Sequence, residues 1–153
     1  RRKETLQGFV HDEASAFFGG LAGNAGLFST ARDVARVYQM LLNGGEIDGQ
    51  RYLSKETCQL FTTETSKISR RGLGFDKPDA DDPKKGNCAP AAPAGVYGHT
   101  GFTGTCAWVD PVNELVYVFL SNRIYPDVTN RKLNQLHIRE RIQGAIYDAM
   151  KKK

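Results

Sequence analysis

The chain contains little that would cross a membrane, hold a metal or staple a fold. Its longest unbroken apolar run is Leu115 to Leu120, far short of the roughly 18 to 20 residues that cross a bilayer, so no transmembrane helix is predicted. The opening stretch Arg1-Arg2-Lys3-Glu4-Thr5-Leu6-Gln7 does not lead into an apolar segment with a small-residue cleavage site. No signal peptide is read there, and the expectation is a chain that begins inside a longer protein. Cysteine is sparse: Cys58, Cys88 and Cys106 form an odd set without a Cys-x-x-Cys pair. That predicts small buried residues and a free thiol, with one disulfide left open for an exported protein and no pair singled out. Histidine is equally sparse. His11-Asp12-Glu13 sets three donors side by side, but adjacent side chains do not converge on one ion, and His99 and His137 show no paired spacing, so neither metal nor cofactor is expected. Gly-x-Ser-x-Gly is also absent, and nothing marks the nucleophile of a hydrolase built on that elbow.

What is present is the composition of an ordinary globular protein, with 40% hydrophobic and 25% charged residues over 153 positions. The net charge of +4 owes six positives to Arg1, Arg2 and Lys3 and to Lys151, Lys152 and Lys153, and without them the body carries −2. No interior face combines basic residues with stacking aromatics, so no nucleic-acid partner is expected.

Along the chain, Gly19 to Gly26 (GGLAGNAG) reads as a loop that permits tight turns. Thr30 precedes Asp33 as in a capping box, and Val34, Val37, Tyr38, Leu41 and Leu42 then recur at helical spacing up to Asn43-Gly44-Gly45. Ser54 signals a second helix running to about Thr62, with Leu53 and Cys58 placed for a hydrophobic staple. Residues 63–70 are polar and turn-like, and Leu73 and Phe75 suggest a short half-buried strand. Lys77 to Ala94 carries Pro78, Pro83, Pro90 and Pro93 and reads as an exposed loop. Gly104 to Val109 and Leu115 to Ser121 are β-prone, and Asp110-Pro111-Val112-Asn113-Glu114 supplies the turn of a hairpin. Beyond Pro126, Ile138, Ile142, Ala145, Ile146 and Ala149 predict one apolar helical face, with Arg139, Glu140, Arg141 and Asp148 mostly off it. The fold class expected is α+β, with helices packed on an antiparallel sheet. Two strands and part of a third make a thin sheet that needs more strands or a partner, which suggests that part of the domain lies elsewhere and keeps self-association open.

The stretch with most chemical content is Tyr97-Gly98-His99-Thr100-Gly101-Phe102-Thr103-Gly104-Thr105. Glycines at a strand edge let a ligand approach the backbone, and the Phe102 amide is placed to meet a developing oxyanion. On composition alone a glycine-rich turn that merely starts a strand accounts for the same residues.

His99-Thr100-Gly101 resembles the third motif of the serine β-lactamase and penicillin-binding-protein superfamily, Lys-Thr-Gly in most members and His-Thr-Gly in esterase-like and peptidase-like branches. Gly19 to Gly45 resembles the loop and helix before that motif in class C-like members, and Trp108 to Pro126 resembles the hairpin after it. The resemblance covers nearly the whole chain in order. It is nearest to the β-lactamase-like domains fused behind family-three glycoside hydrolases, the β-N-acetylglucosaminidases of bacterial envelopes. What this implies is a partial β-lactamase/transpeptidase-like fold, the C-terminal half of the family domain over residues 1–153, at a periplasmic or otherwise extracytoplasmic location. His99 then stands in the place of the family's cationic Lys, Thr100 lines the cleft after it with Gly101, and the Phe102 amide matches an oxyanion-hole donor. Asn122 and Arg123 follow the next strand, where members place groups that meet a substrate carboxylate. Asn24 lies in the glycine-rich loop as a further substrate-side residue. Because an imidazole is charged only in part near neutrality, carboxylate binding is expected to weaken as pH rises.

The departure from the family is the nucleophile. No serine here has Lys three positions on, and no Tyr or Ser has Asn two positions on. The family's Ser-x-x-Lys, in which the lysine helps activate the serine, and its Tyr-x-Asn are expected in an upstream half of the same domain. This chain would be inactive alone. The resemblance implies a small acyl, peptide or peptidoglycan-like substrate for the whole. The alternative from the sequence is a non-catalytic peptidoglycan-binding, peptide-binding or structural module of a larger envelope protein.

Overall fold

The computed structural model describes residues 4–63, 68–82 and 85–151. The chain divides into two compact units, residues 1–30 and residues 31–153. Each is described by itself.

The first unit is organised by polar caps. Asp12 precedes helix α1 (Glu13–Phe17) and its carboxylate accepts the Ser15 amide at 2.7 Å, satisfying one of the amides a helix leaves unpaired at its start. That hydrogen bond, foremost, holds the Asp12 carboxyl below its ordinary range. The helix ends in a Schellman motif: the Gly20 amide reaches the Ser15 carbonyl at 2.8 Å and the Gly19 amide reaches Ala16 at 3.2 Å, with Gly19 at φ +87. The glycine-rich stretch is a loop, as expected, pinned by reciprocal Ala22–Ala25 backbone bonds. Gly26 is obligatory there, since a Cβ would lie 2.4 Å from the Gly20 carbonyl oxygen.

The second unit opens with helix α2 (Ala31–Leu42), immediately after Thr30. Its end repeats the same device, with Gly45 bonding Met40 at 2.8 Å, Gly44 bonding Leu41 at 3.0 Å and Gly44 at φ +66. The next element is a two-residue-per-strand hairpin, β1 (Glu46–Ile47) with β2 (Gln50–Arg51). Asp48 and Gly49 turn it, both at positive φ, as a tight hairpin turn requires. Strands of two residues carry no alternation, and the sequence reading contains no strand here. Helix α3 (Lys55–Thr62) starts at Ser54, whose hydroxyl accepts the Thr57 amide at 3.1 Å, in agreement with the expected cap and end.

The main sheet has the order β3-β4-β5 and is antiparallel throughout: β3 (Tyr97–Thr100), β4 (Cys106–Asp110) and β5 (Leu115–Phe119). The expected hairpin is present, and residues 111–114 turn it. The Asp110 carboxylate fixes the turn by accepting the Val112 amide at 2.9 Å, the Asn113 amide at 3.2 Å and the Asn113 side chain at 2.7 Å. All five residues of β4 are buried, and the core is Trp108, Val96, Cys88, Cys106 and Tyr117 with Ala92, Phe119 and Ile146 packed on it. Helix α2 packs on β4 and β5.

Three expectations change in the structure. The predicted strand around Leu73 and Phe75 is a single bridge, Asp76 to Gly98; Leu73 is exposed, while the Phe75 ring meets Tyr38 and Tyr97 edge-on at 6.2 and 5.4 Å. The loop read as exposed over 77–94 carries no helix or strand among its described residues, yet Cys88 and Ala89 are buried. Their burial is anchored by the Ala89 amide, which donates to the Gln143 side chain at 2.8 Å. The third change concerns the last helix, which follows a short α4 (Lys132–Gln135) and runs as α5 (Ile138–Met150). Its buried residues are Arg139, Gln143 and Tyr147, not the predicted row of Ile and Ala, of which Ile142, Ala145 and Ala149 are exposed. Two of these polar side chains hold the face through distant partners, with Tyr147 donating to Asp110 at 2.9 Å and Gln143 accepting the Ala89 amide at 2.8 Å, and Tyr117 ties the helix down by donating to the backbone carbonyl of Arg139 at 3.2 Å.

Candidate functional site

The second unit gathers most of the residues singled out by sequence at one end of the main sheet. Strand β3 pairs with β4 so that His99 faces Ala107 and Thr100 faces Cys106. Glycine is required where the strands approach most closely. A Cβ on Gly98 would lie 2.1 Å from the Ala107 carbonyl oxygen and 2.7 Å from the Trp108 ring. Beyond Thr100 the chain makes a tight turn in which the Gly101 amide donates to the Thr105 carbonyl at 2.8 Å and the Gly104 amide donates to Gly101 at 2.9 Å. Gly104 sits at φ +98, and a Cβ there would strike the Ser121 hydroxyl at 2.5 Å, so a side chain is excluded by both conformation and space.

The segment after β5 closes on this turn. The Arg123 amide and the Ser121 hydroxyl both donate to the Thr103 carbonyl, at 2.9 and 3.3 Å. The Arg123 guanidinium lies 4.7 Å from the centroid of the exposed Phe102 ring, a cation–π arrangement. Asn122 is exposed beside it, and its carbonyl accepts the Tyr125 amide at 3.3 Å. Thus His99, Thr100, Gly101, Phe102, Asn122 and Arg123 form one neighbourhood. Asn24 belongs to the first unit, where its amide carbonyl accepts the Ser15 hydroxyl at 3.1 Å and its NH2 donates to Asp12 at 3.2 Å. Within that unit it serves the cap of α1.

A cation absent from the sequence reading lies against this neighbourhood. The bridge between Asp76 and Gly98, with reciprocal backbone bonds of 2.7 and 3.0 Å, lays residues 70–77 along the free edge of β3. A Gly72–Phe75 turn, closed by a 3.0 Å bond from the Gly72 amide to the Phe75 carbonyl, then brings Arg71 to His99. Arg71 Nη1 is 3.0 Å from His99 Nε2, and His99 Nδ1 is 2.7 Å from the Thr100 carbonyl oxygen. A guanidinium has only donors and a carbonyl only accepts, so these two neighbours together fit a neutral imidazole with its hydrogen on Nδ1. The residues are 28 positions apart, and no local spacing could have joined them; only the pair Arg70-Arg71 before Gly72 hinted that this segment carried charge.

Asp76 organises the cations behind the strand. Its side chain is 1% exposed and accepts Arg70 Nε at 2.8 Å, Arg70 Nη2 at 3.1 Å, the Asn87 side chain at 2.8 Å and the Lys77 amide at 3.0 Å. Burial pushes its carboxyl up, but the hydrogen bonds from Asn87 and Arg70, with the charge of Arg70, outweigh that and hold it below its ordinary range.

The thiols offer no substitute nucleophile. Burial foremost, then the charge of Asp76, pushes Cys88 up to about 12, and burial pushes Cys106 up to about 11. Both stay protonated near neutrality, and the thiolate is the reactive form. Among the described residues no group of three His, Cys, Asp or Glu is placed to hold a metal ion, and no helix is long and apolar enough to cross a membrane.

Compared with known proteins, residues 2–140 match the profile of the family described as Beta-lactamase. The chain is similar to a protein of Escherichia coli (strain K12) named "Putative D-alanyl-D-alanine carboxypeptidase", 37% identical over 134 residues, covering 87% of this chain and 31% of that protein. Proteins of the same name from Salmonella agona (strain SL483) and Salmonella typhi are each 38% identical over 140 residues, again covering 87% of this chain and 31% of theirs. The chain therefore spans about a third of the length of the curated relatives it matches.

Proposed function

The chain belongs to the Beta-lactamase family, and from that premise we propose that it is the C-terminal wall of a serine acyl hydrolase that works through an acyl-enzyme. The β3–β4 turn presents His99, Thr100 and Gly101 to the acyl group, with the Phe102 amide as an oxyanion donor. Asn122 and Arg123 meet the polar end of the substrate; Asn24, engaged with Ser15 and Asp12 in the first unit, is given no part in this wall. The observation that carries the reading is that one glycine-shaped turn, closed on Thr103 by the segment after β5, unites motif residues from two parts of a chain whose relatives bear the name of carboxypeptidases. The reading extends to a peptide-like or peptidoglycan-like substrate ending in a D-amino acid and to an extracytoplasmic location. Placement behind a family-three glycoside hydrolase rests on the sequence resemblance alone.

The division of labour follows from the sequence. Attack on a carbonyl needs an activated hydroxyl, and no Ser-x-x-Lys occurs in these 153 residues. The wall contributes placement and electrostatic stabilisation, which act only when the nucleophile is held across from it. Hydrolysis of nitrocefin and p-nitrophenyl esters, with labelling by a fluorescent penicillin, tests this on the chain alone and mixed with the preceding segment of its longer protein. Turnover and serine labelling only on mixing is the expected result. Stoichiometric labelling of a serine in the chain alone would overturn the division of labour. Inactivity of the assembled halves would favour a peptide-binding module.

A further inference from the structure

We propose that Arg139, at the start of α5, is a positioning residue: its buried guanidinium holds the Thr105 carbonyl and so fixes the β3–β4 turn that presents the Phe102 amide. The proposal rests on the reading of that turn as an oxyanion-bearing wall and adds to it a residue that touches no substrate.

Three observations carry the assignment. The first is a buried charge without a carboxylate. Arg139 is 7% exposed, and no ion pair among the described residues includes it. It is the second residue of α5, where the dipole of the helix opposes a cation. A charge buried in such a place is costly, and an apolar side chain would fill the same space at less cost. The second observation is what the charge touches. Arg139 Nη1 lies 3.5 Å from the Thr105 carbonyl oxygen, and Nη2 lies 3.3 Å from Asn134 Oδ1. Both contacts are long for hydrogen bonds, and the charge, little screened at a buried position, gives them their weight. The same Thr105 carbonyl accepts the Gly101 amide at 2.8 Å, so the guanidinium acts on the acceptor that closes the turn, whose two lone pairs are both engaged. Phe102 is thereby held on each side: at Gly101 through Thr105 and Arg139, and at Thr103 through Arg123 and Ser121. The third observation is the base from which Arg139 reaches. His137 enters α5 in the left-handed region at φ 49, with no side-chain hydrogen bond capping the helix. The Tyr117 hydroxyl instead ties the first turn to β5 by donating to the main-chain carbonyl of Arg139 at 3.2 Å. Because that tie is to the main chain, it survives substitution of the side chain.

The test compares this chain as wild type, Arg139→Met, Arg139→Lys and Asn134→Ala by amide hydrogen exchange. Arg139→Met is expected to speed exchange at the Gly101 amide roughly tenfold by local opening of the turn, while the β4 amides keep their protection. Arg139→Lys, which keeps the charge but not the planar fork, is expected to restore part of that protection. Gly101 exchange as slow in Arg139→Met as in the wild type, or quickened only in step with the β4 amides, overturns the proposal and leaves Arg139 a structural residue. Should Arg139→Met fail to fold, Asn134→Ala decides: Asn134 is exposed, and its loss frees one nitrogen of the guanidinium, so a smaller quickening at Gly101 is expected and none overturns the proposal. In the assembled halves, Arg139→Met is expected to lower kcat for a p-nitrophenyl ester roughly tenfold with KM within about twofold, since a displaced oxyanion donor is felt in the transition state. An unchanged kcat beside a loosened turn overturns the positioning role. If the wild-type halves assemble without turnover while the Gly101 amide still responds to Arg139→Met, the acyl-hydrolase reading fails and the hold of Arg139 on the turn stands.

Discussion

The two units of this chain solve the problem of staying folded in different ways. Residues 31–153 bury apolar surface around Trp108, which is 1% exposed, with Val96 and Val109 fully inside. Residues 1–30 are held by the ring of hydrogen bonds among Asp12, Ser15 and Asn24 and by two helix-ending glycines. Most of their large apolar side chains lie on the outside, Val10 being buried: Phe17 is 87% exposed, and Phe18, Leu21, Leu27 and Phe28 are exposed as well. Hydrogen bonds fix conformation but stabilise modestly, about 1 kcal/mol each, because water competes for the same groups. Apolar burial is what offsets the entropy of ordering a chain. Among its described residues the first unit therefore has geometry with a single buried apolar side chain, Val10, while the second has both geometry and a core.

The hardest test of that contrast is Trp108→Ala. Removing a fully buried ring should cost roughly 3 to 5 kcal/mol, read as loss of near-ultraviolet circular dichroism and a lowered urea midpoint. A cost under about 1 kcal/mol would mean that the sheet is not held by its apolar core.

Asp76→Asn probes the polar hub that the second unit does contain. Removing the charge takes from Arg70 its nearest carboxylate and leaves it Asp79 at 3.8 Å; this should cost roughly 3 kcal/mol, the low end for a buried pair because Arg70 is partly exposed. The sign of the pH effect follows from the lowered carboxyl. Its stabilisation is present above the unfolded value of roughly 4 and is lost as pH falls through the folded value. Urea midpoints measured from pH 6 downward should fall more steeply in the wild type than in the variant. Parallel curves would remove Asp76 from the acid response.

The smallest effects belong to the first unit. Asp12→Ala should speed hydrogen exchange at the Ser15 and Ala16 amides severalfold by unfastening the cap. Phe17→Ser should change stability by less than about 0.5 kcal/mol, as expected of an exposed position. A larger loss for Phe17→Ser would show that these aromatics are covered, and would erase the contrast between the units.

Elements governed by neighbours in sequence were legible. The Ser54 cap and α3, the glycine-ended α2, and the hairpin turned by residues 111–114 each follow from local chemistry, and the glycines of the β3–β4 turn marked the site. The buried face of α5 was not legible, because Gln143 and Tyr147 are held inside by partners 54 and 37 residues away, and the helix backbone at Arg139 by Tyr117, against the apolar period. Nor was Arg71, whose place beside His99 depends on the Asp76–Gly98 bridge.

By itself, then, the sequence determined the fold class, the Gly-rich turn with its His99-Thr100-Gly101 motif, and the lack of a Ser-x-x-Lys nucleophile, since each is written in residue types and short spacings. Only the tertiary structure decided where charge lies at the site and which groups are buried against the sheet. Those depend on which distant segments share an edge, and a residue's charge or burial acts through space, not along the chain.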